Sequence, residues 1–400
     1  MLLNPRRSRM AAVLATATGL LAAAGCSGAT DKPEVDRGPA SSPAVPGPSS
    51  PSPGEEPQDD AIELPSYSSD GVSVRVLPRM AAPGGRPQPA GAASQLVEVS
   101  VPPARNGTTV HLMARRDGAW QVVDSAEAGP GGLAELSSPL TGRHHAVTDS
   151  DGDITTPDDD VLGRRFSTDV DHGLVFSDEF DEDSVGPGRT WQTRDQGYHG
   201  VRLCSRASDR AARVRHGMLR LSVIDDPDRG QCRHKTGRDD YRLNGHVGTE
   251  ESFTFEYGFA AARVRFHSER GQHGAFWMQG GSEIDVVEYF GDGHPRGGLT
   301  SYVYNWGASG TEHWGGTWVR QPDRFGGDWS NRFHVFSVEW TPEAYSFRID
   351  DRVTQRVKGQ PSRAPEYLVL SLLSSDYELK HSQTLPQHMD VDWVRVWDLG

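Results

Sequence analysis

The segment GSEIDVVEYFG, residues 281–291, places three carboxylates, Glu283, Asp285 and Glu288, among residues that otherwise suit a buried strand. Successive side chains of a strand point to opposite faces, so Glu283 and Asp285 share one face. A regular strand would turn Glu288 to the other face, but a β-bulge of one extra residue would bring it back. The segment therefore predicts either an exposed acid at position 288 or a bulged strand with all three acids together.

The bulged arrangement would suit the hydrolysis of a glycosidic bond. This reaction needs one carboxyl group to attack or to activate water, and a second to protonate the departing oxygen. Crowding raises the pKa of one member, which keeps it a usable acid near neutral pH. A third acid can orient the nucleophile and share the proton. Because an ExDxxE pattern is short and also suits an ordinary edge strand, the surrounding sequence has to distinguish the two arrangements.

The region around the acids, residues 173–400, is typical of an all-β domain. Strand-like runs such as MLRLSVI, FHVFSVEW, YLVLSLL and VDWVRVWD are separated by Gly and Pro, and nine of the ten tryptophans lie here. This pattern predicts one large antiparallel β-sandwich.

A second, smaller β-domain is predicted at residues 67–148. Alternating runs such as VSVRVL and LVEVSV are short, and Asp117-Gly118 marks a two-residue hairpin turn. We expect an immunoglobulin-like or fibronectin-like β-sandwich that serves as a spacer or docking module or, alternatively, binds carbohydrate.

Residues 149–172 read as an acidic linker between the two domains. Ile154 stands where a calcium loop needs glycine, which favours a solvated linker over a metal site. Four aspartates nevertheless occupy ligand positions of such a loop: Asp149, Asp151, Asp153 and Asp160.

The N-terminus predicts export. Residues 1–26 combine an arginine cluster with a short apolar stretch and end in AAAGC, so they resemble a bacterial lipoprotein signal in which Cys26 is acylated. An ordinary secretory signal cut near Ala24 is the alternative. Residues 27–66 are rich in Pro, Ser and Gly and are expected to form a disordered tether.

The net charge of the chain limits the kinds of molecule that it can bind. The formal net charge of −14 argues against nucleic-acid binding and against polybasic membrane contacts, so we expect a membrane connection only through the lipid anchor.

In an oxidising compartment Cys204 and Cys232 should form a disulfide, although two free buried thiols are the alternative. We expect a monomer.

Several blocks, in order, make residues 174–400 resemble glycoside hydrolase family 16. The acid segment resembles the bulged active-site strand, E-x-D-x-x-E, of the laminarinase-like branch. The other matching blocks are FSDEF (176–180), MLRLS (218–222), AFW (275–277), FHVFSVEW (333–340) and MDVDWVRVW (389–397).

The resemblance implies a jelly-roll of two curved antiparallel sheets and a retaining mechanism. It assigns Glu283 as nucleophile, Glu288 as general acid/base and Asp285 as their helper, with the two glutamates about 5–5.5 Å apart. It implies no cofactor, but it leaves a structural calcium open at three acids that are otherwise ordinary carboxylates: Asp178, Glu179 and Asp392.

The resemblance also predicts the substrate, a β-1,3- or mixed β-1,3/1,4-glucan cleaved internally. The segment GFAAAR lacks the first Arg and the Glu of the family's usual GRFEAR, and GGLTSYVYNW lacks a histidine common in laminarinases. A galactan such as agar or carrageenan therefore stays an alternative substrate, and a non-catalytic glycan-binding lipoprotein an alternative function. Aromatic faces stack on sugar rings, so we expect substrate binding by Trp277, Trp306 and Trp314.

Overall fold

Alternating apolar and polar residues, interrupted by Gly and Pro, produce strands along nearly the whole described chain. The computed structural model describes residues 66–69, 71–89, 91–148, 161–198, 200–235, 237–307, 310–359, 361–375 and 384–398. The predicted signal with Cys26, most of the tether and the four aspartates of the calcium-like loop lie outside these residues. Within them, none of the helices has the length and apolar character needed to cross a membrane.

The small domain is a sandwich of two four-stranded antiparallel sheets, ordered β1-β2-β3-β6 and β5-β4-β7-β8. Its core lies between the sheets and is built from side chains such as Val74, Val97 and Leu112. Asp117 and Gly118 both have positive φ and close the hairpin between β4 and β5. The eight strands are β1 (Ser66–Ser69), β2 (Val72–Ala81), β3 (Ser94–Ser100), β4 (Thr109–Arg116), β5 (Ala119–Glu127), β6 (Leu133–Ser138), β7 (Arg143–Thr148) and β8 (Val161–Ser167).

Strand β8 lies inside the range expected to be an acidic linker. It pairs antiparallel with β7, so the second sheet of the small sandwich continues past residue 148. The sequence hides this strand because its run VLGRRFS carries a glycine and two arginines.

The large domain consists of nineteen described strands: β9 (Leu174–Asp178), β10 (Gln192–Thr193), β11 (Ser205–Ala207), β12 (Ala212–Val214), β13 (Leu219–Asp225), β14 (Gln231–His234), β15 (Gly237–Asp240), β16 (Arg242–Gly248), β17 (Thr254–Phe255), β18 (Gly258–Arg265), β19 (Gln272–Gly280), β20 (Ser282–Tyr289), β21 (Leu299–Gly307), β22 (Gly310–Trp318), β23 (His334–Trp340), β24 (Ala344–Ile349), β25 (Arg352–Lys358), β26 (Glu366–Ser374) and β27 (Gln387–Trp397). Short 3₁₀ helices lie at Pro103–Arg105, Asp209–Ala211 and Pro322–Phe325.

These strands form two packed layers, as expected for a jelly-roll sandwich. The inner layer runs β16-β26-β19-β20-β21-β22 and contains the strand with the three acids. The outer layer runs β13-β27-β18-β23-β24-β25. Strand β16 pairs with β13 as well as with β26, so it joins the layers at one edge. Side chains such as Phe276, Ile284 and Phe336 fill the space between the layers.

The predicted disulfide between Cys204 and Cys232 is confirmed. Both residues are buried, their Cα atoms lie 5.5 Å apart, and 28 positions separate them in the sequence. Closing a loop of this length contributes about 3–4 kcal/mol in the chain-entropy model.

The small sandwich packs on the outer layer of the large domain. Leu77, Met80 and Leu96 share one apolar cluster with large-domain side chains such as Phe259 and Trp393. Residues 61–400 accordingly form one compact unit. Because the acids lie in the inner layer, this apolar contact is on the opposite side of the large domain from the acid-bearing strand.

A buried ionic cluster accompanies the apolar contact. Arg348 of β24 is buried and donates hydrogen bonds to Glu98 of β3 at 2.6 Å and to Glu339 of β23 at 3.1 Å. Arg75 of β2 bonds to the same two glutamates. Burial raises the pKa of Glu98, but the arginines outweigh it and hold that pKa below its ordinary value.

Candidate active site

The strand that carries the acids contains the predicted bulge. Phe276 of β19 pairs with Val287, whereas the next residue, Trp277, pairs with Asp285, so Val286 is the extra residue. Val286 and Val287 are both buried in the core. The bulge is therefore confirmed, and it returns Glu288 to the side of the sheet that Asp285 and Glu283 occupy.

The neighbouring strands place further side chains on the same side of the sheet as the three acids. On β21, Tyr304, Tyr302 and Thr300 pair with Glu283, Asp285 and Glu288 in that order. Residues that pair directly across antiparallel strands project to the same side of a sheet. We call this surface the acid face: the three acids together with the side chains paired with them on β19 and β21.

Glu288 has two polar partners. The Thr300 hydroxyl donates a hydrogen bond of 2.8 Å to Oε2. His273 Nε2 lies 2.8 Å from Oε1, and both side chains are 15% exposed. Burial would raise the pKa of Glu288, but His273 and Thr300 outweigh it, so that pKa lies below its ordinary value.

The pKa values of the other two acids, Glu283 and Asp285, shift in the opposite direction. Burial, followed by the charge of Glu288, raises the pKa of Glu283 to about 7, although Arg194 opposes the shift. Burial and the charges of Glu288 and Glu283 raise the pKa of Asp285 well above its ordinary value. Glu288 is therefore the acid that ionises most readily, whereas Glu283 and Asp285 hold their protons more tightly than ordinary carboxyl groups.

Arg194 closes one end of the acid face. Its guanidinium donates hydrogen bonds to Gln279 at 2.7 Å and to the Tyr367 hydroxyl at 2.8 Å. It also lies 5.1 Å from the centre of the Trp277 ring. These contacts place a positive charge near Glu283 and fix the orientation of Trp277.

Sequence reasoning missed Arg194, His273 and Thr300. His273 had a detectable signal, because it lies two and four positions before Ala275 and Trp277 and therefore shares their face of β19. Arg194 and Thr300 had none, since their relation to the acids depends on how distant segments pair.

The three predicted tryptophans have different environments. Trp277 lies on the acid face, and its Nε1 donates a hydrogen bond of 3.2 Å to Ser371 Oγ. Trp306 is 40% exposed and lies two residues beyond Tyr304 on β21, which puts it on the same side of the sheet.

Trp314 requires a correction, because it packs against the core. Tyr304 pairs with His313 and Val303 with Gly315, so Trp314 is an extra residue in β22. Its ring lies edge-on to Tyr345, with ring centroids 5.8 Å apart. A second bulge has thus taken Trp314 away from the acid face.

The three acids considered for calcium are held by protein donors. Asp178 accepts hydrogen bonds from the Phe180 amide and the Trp191 indole. Glu179 forms a two-pronged ion pair with Arg395, and Asp392 pairs with Arg263 at 2.7 Å. Among the described residues no three His, Cys, Asp or Glu side chains are grouped so that they could hold a metal. These contacts make the three carboxylates structural anchors.

Comparisons with known proteins found a family model, a related enzyme and solved structures similar to this chain. Residues 218–395 match the model of glycosyl hydrolases family 16. A β-glucanase of Rhodothermus marinus is 28% identical over 273 residues, which cover 59% of this chain and 89% of that protein. The laminarinase catalytic domain of Thermotoga maritima aligns with a TM-score of 0.46 and 21% identity, covering 56% of this chain and 97% of that one. An endo-β-1,3-glucanase of Pyrococcus furiosus aligns with a TM-score of 0.45 and 20% identity, covering 56% and 94%.

Proposed function

Because residues 218–395 belong to glycosyl hydrolases family 16, we propose that this protein is a retaining endo-glycosidase that cleaves a β-1,3- or mixed β-1,3/1,4-glucan. The observation that carries the proposal is the bulge at Val286, since it gathers Glu283, Asp285 and Glu288 on one side of the inner layer. The β-glucanase similar to this chain supports a glucan as substrate.

The reaction proceeds in two displacements. The Glu283 carboxylate attacks the anomeric carbon and forms a glycosyl ester, while Glu288 gives its proton to the departing oxygen. In the second step Glu288 removes a proton from water, and the resulting hydroxide displaces Glu283. Two inversions at the same carbon retain its configuration.

This chemistry requires a proton to move before the bond breaks. In the free site Glu288 is the ionised member, whereas Glu283 and Asp285 hold protons more tightly than ordinary carboxyl groups. The positive charge that develops at the anomeric carbon favours the ionised form of Glu283. Asp285 lies between the two glutamates in the strand, so it can accept the proton from Glu283 and pass its own to Glu288.

The aromatic side chains of the acid face provide the sugar-binding surface. Trp277, Tyr302 and Tyr304 pair directly with the acids or with their neighbours, and Trp306 continues the row at the exposed end of β21. Aromatic rings next to catalytic carboxylates stack on the apolar faces of sugars and so align a glycan chain with the acids.

The test combines two variants with a panel of polysaccharides. Glu283→Gln and Glu288→Gln should each lower the release of reducing ends from laminarin or lichenan at least about 100-fold. Glu343→Gln, which changes an exposed glutamate outside the site, is the matched control. Near-wild-type turnover by either variant would refute the assignment, whereas cleavage of agarose or carrageenan in place of the glucans would select the galactan alternative.

We also propose that the enzyme acts outside the cell, attached to the membrane through an acylated Cys26 or secreted if that residue is not acylated. The support is the signal-like segment that ends in AAAGC and the tether that follows it. In cells that export the protein, Cys26→Ser should move it from the membrane fraction to the medium. Membrane retention of this variant at the wild-type level would count against the anchor.

A further inference from the structure

A cavity rich in arginine lies beside the acid face. Its volume is about 590 Å³, and its walls are Arg296, Trp318, Val319, Arg320, Gln321 and Arg324. No acidic residue lines it. A second cavity of about 470 Å³ shares Trp318, Val319, Arg320 and Arg324 and continues along β25.

The pairing of the strands relates this cavity to the acids. Trp318 of β22 pairs with Thr300 of β21, and Thr300 pairs with Glu288 of β20. The three residues therefore form one row across the sheet and project to the same side. Two strand spacings, about 10 Å, separate the backbones at the two ends of the row.

Aromatic packing also connects the cavity with the acid face. The Phe290 ring stacks on His273 with centroids 4.5 Å apart, and it lies 5.5 Å from the Trp318 ring. His294 stacks on Trp318 at 4.7 Å. The cavity thus adjoins the Glu288 end of the acid face through a continuous series of packed rings.

The cavity has a local excess of positive charge. Arg296, Arg320 and Arg324 are exposed, and none of them lies within ion-pair distance of a carboxylate among the described residues. The whole sequence has a formal net charge of −14. An acidic protein that leaves three arginines without carboxylate partners around one cavity has a local preference for anions.

We propose that this cavity is a subsite for a glycan unit that carries an anionic substituent, either a sulfate, a phosphate ester or a carboxylate. Guanidinium groups bind such oxyanions through paired hydrogen bonds, and three of them surround this cavity. Trp318 supplies an apolar wall for the sugar ring, and Arg296 packs over it at 5.4 Å. The inference rests on the proposed glycosidase function, because the acids determine where the glycan chain runs.

A neutral glucan would not require this arrangement. Aromatic and uncharged polar side chains are enough to bind the rings and hydroxyl groups of a neutral glucan, and the acid face already provides such side chains. An acidic protein partner would also be attracted to arginines, but the cavity adjoins Glu288 on the same side of the sheet, where the glycan must pass. The position therefore favours a substituted sugar over a protein surface.

Binding to the inactive Glu283→Gln protein tests the subsite without turnover. The probes are laminarihexaose and its sulfated derivative, measured by calorimetry at low and high salt. We expect the sulfated probe to bind more tightly, with an advantage that falls as salt is added. Adding Arg296→Ala, Arg320→Ala and Arg324→Ala should reduce the ratio of the two affinities by about tenfold or more.

Two controls make the outcome specific. Replacing Arg115, Arg116 and Arg213, exposed arginines outside the cavity, should leave the affinity ratio unchanged. Inorganic polyphosphate should bind more weakly than the sulfated oligosaccharide. An unchanged ratio in the cavity triple variant, or equal binding of polyphosphate, would overturn the subsite. Failure of the wild type to cleave any glycan would instead refute the glycosidase proposal, while the binding ratio would still test the anion site.

Discussion

At the residue scale, the position of the negative charge among the three acids is decided by what each carboxylate touches. Glu288 has His273 and the Thr300 hydroxyl beside it, whereas Asp285 is buried and has the charges of Glu288 and Glu283 beside it. Two carboxyl groups of one strand therefore have opposite pKa shifts. The contacts on either side of β20, rather than the acids themselves, set the roles available to each group.

The raised pKa of Glu283 predicts the alkaline side of the pH profile. In the free site Glu283 holds the proton that must reach Glu288 before the bond breaks, and its pKa of about 7 lies above the ordinary value, so kcat/KM should fall as the pH rises through about 7. The measurement is initial rate on laminarin between pH 4 and pH 9. A profile that stays level well above about pH 7 would contradict this sharing of a proton between the two glutamates.

His273 predicts the acid side of the same profile. His273→Gln keeps a hydrogen-bond donor but cannot become charged, so the pKa of Glu288 should rise. Because Glu288 has the lowest pKa of the three acids, its ionisation sets the acid limb of kcat/KM, and this limb should move to higher pH. His216→Asn changes an exposed histidine elsewhere and should not move the limb. Identical limbs in wild type and His273→Gln would show that His273 does not act on Glu288.

At the scale of single elements, one inserted residue organises the active-site strand. The pairs Trp277 with Asp285 and Phe276 with Val287 lie on either side of Val286, and both belong to a regular antiparallel register. The extra residue is absorbed inside the strand without displacing the residues that follow it. The bulge thus places both Val286 and Val287 in the core between Asp285 and Glu288.

Deleting Val286 should therefore preserve the fold. All neighbouring pairs keep their partners, and the acid spacing becomes E-x-D-x-E, which alternates regularly onto one face. The loss of one buried valine should cost about 1.5–3 kcal/mol of unfolding free energy. Chemical denaturation and residual turnover on laminarin are the measurements. An unfolded deletion variant would mean that the bulge is needed for more than the orientation of Glu288.

At the scale of the whole molecule, the small sandwich and the large domain share a core and a buried ionic cluster. Arg348 is buried between Glu98 of one domain and Glu339 of the other. A buried charge is tolerated only when its partners are present, so this cluster connects the folding of the two domains. The small sandwich is thereby a part of the folded unit, whatever ligand it binds.

The Arg348→Ala variant tests whether the folding of the two domains is coupled. It leaves two buried carboxylates without their main partner and should lower the free energy of unfolding by about 3–5 kcal/mol. Arg352→Ala, which removes an exposed arginine whose ion pair is with its chain neighbour Asp351, should cost less than about 1 kcal/mol. Wild type should unfold in one transition in urea. Two separate transitions, with only one sensitive to Arg348→Ala, would show that the domains fold independently.

Much of this protein is determined locally in its sequence. The period-two runs predict the strands of both sandwiches, Asp117-Gly118 predicts a hairpin turn, and the spacing of the acids requires either a bulge or an outward glutamate. Strand β8 escaped prediction because glycine and arginines interrupt its run. The sequence alone is enough to predict a feature when its physical cause acts between neighbouring residues of the chain. The alternation of side chains along a strand and the conformation of a tight turn are such causes.

Only the tertiary structure decided which side chains meet at the acids. His273 and Thr300 reach Glu288 from the two strands that flank it, Arg194 arrives from a loop, and Trp314 leaves the acid face through a second bulge. Each of these outcomes depends on the register between segments far apart in the sequence. A shift of one residue turns a whole strand over, and the energy that selects the register comes from packing the complete core.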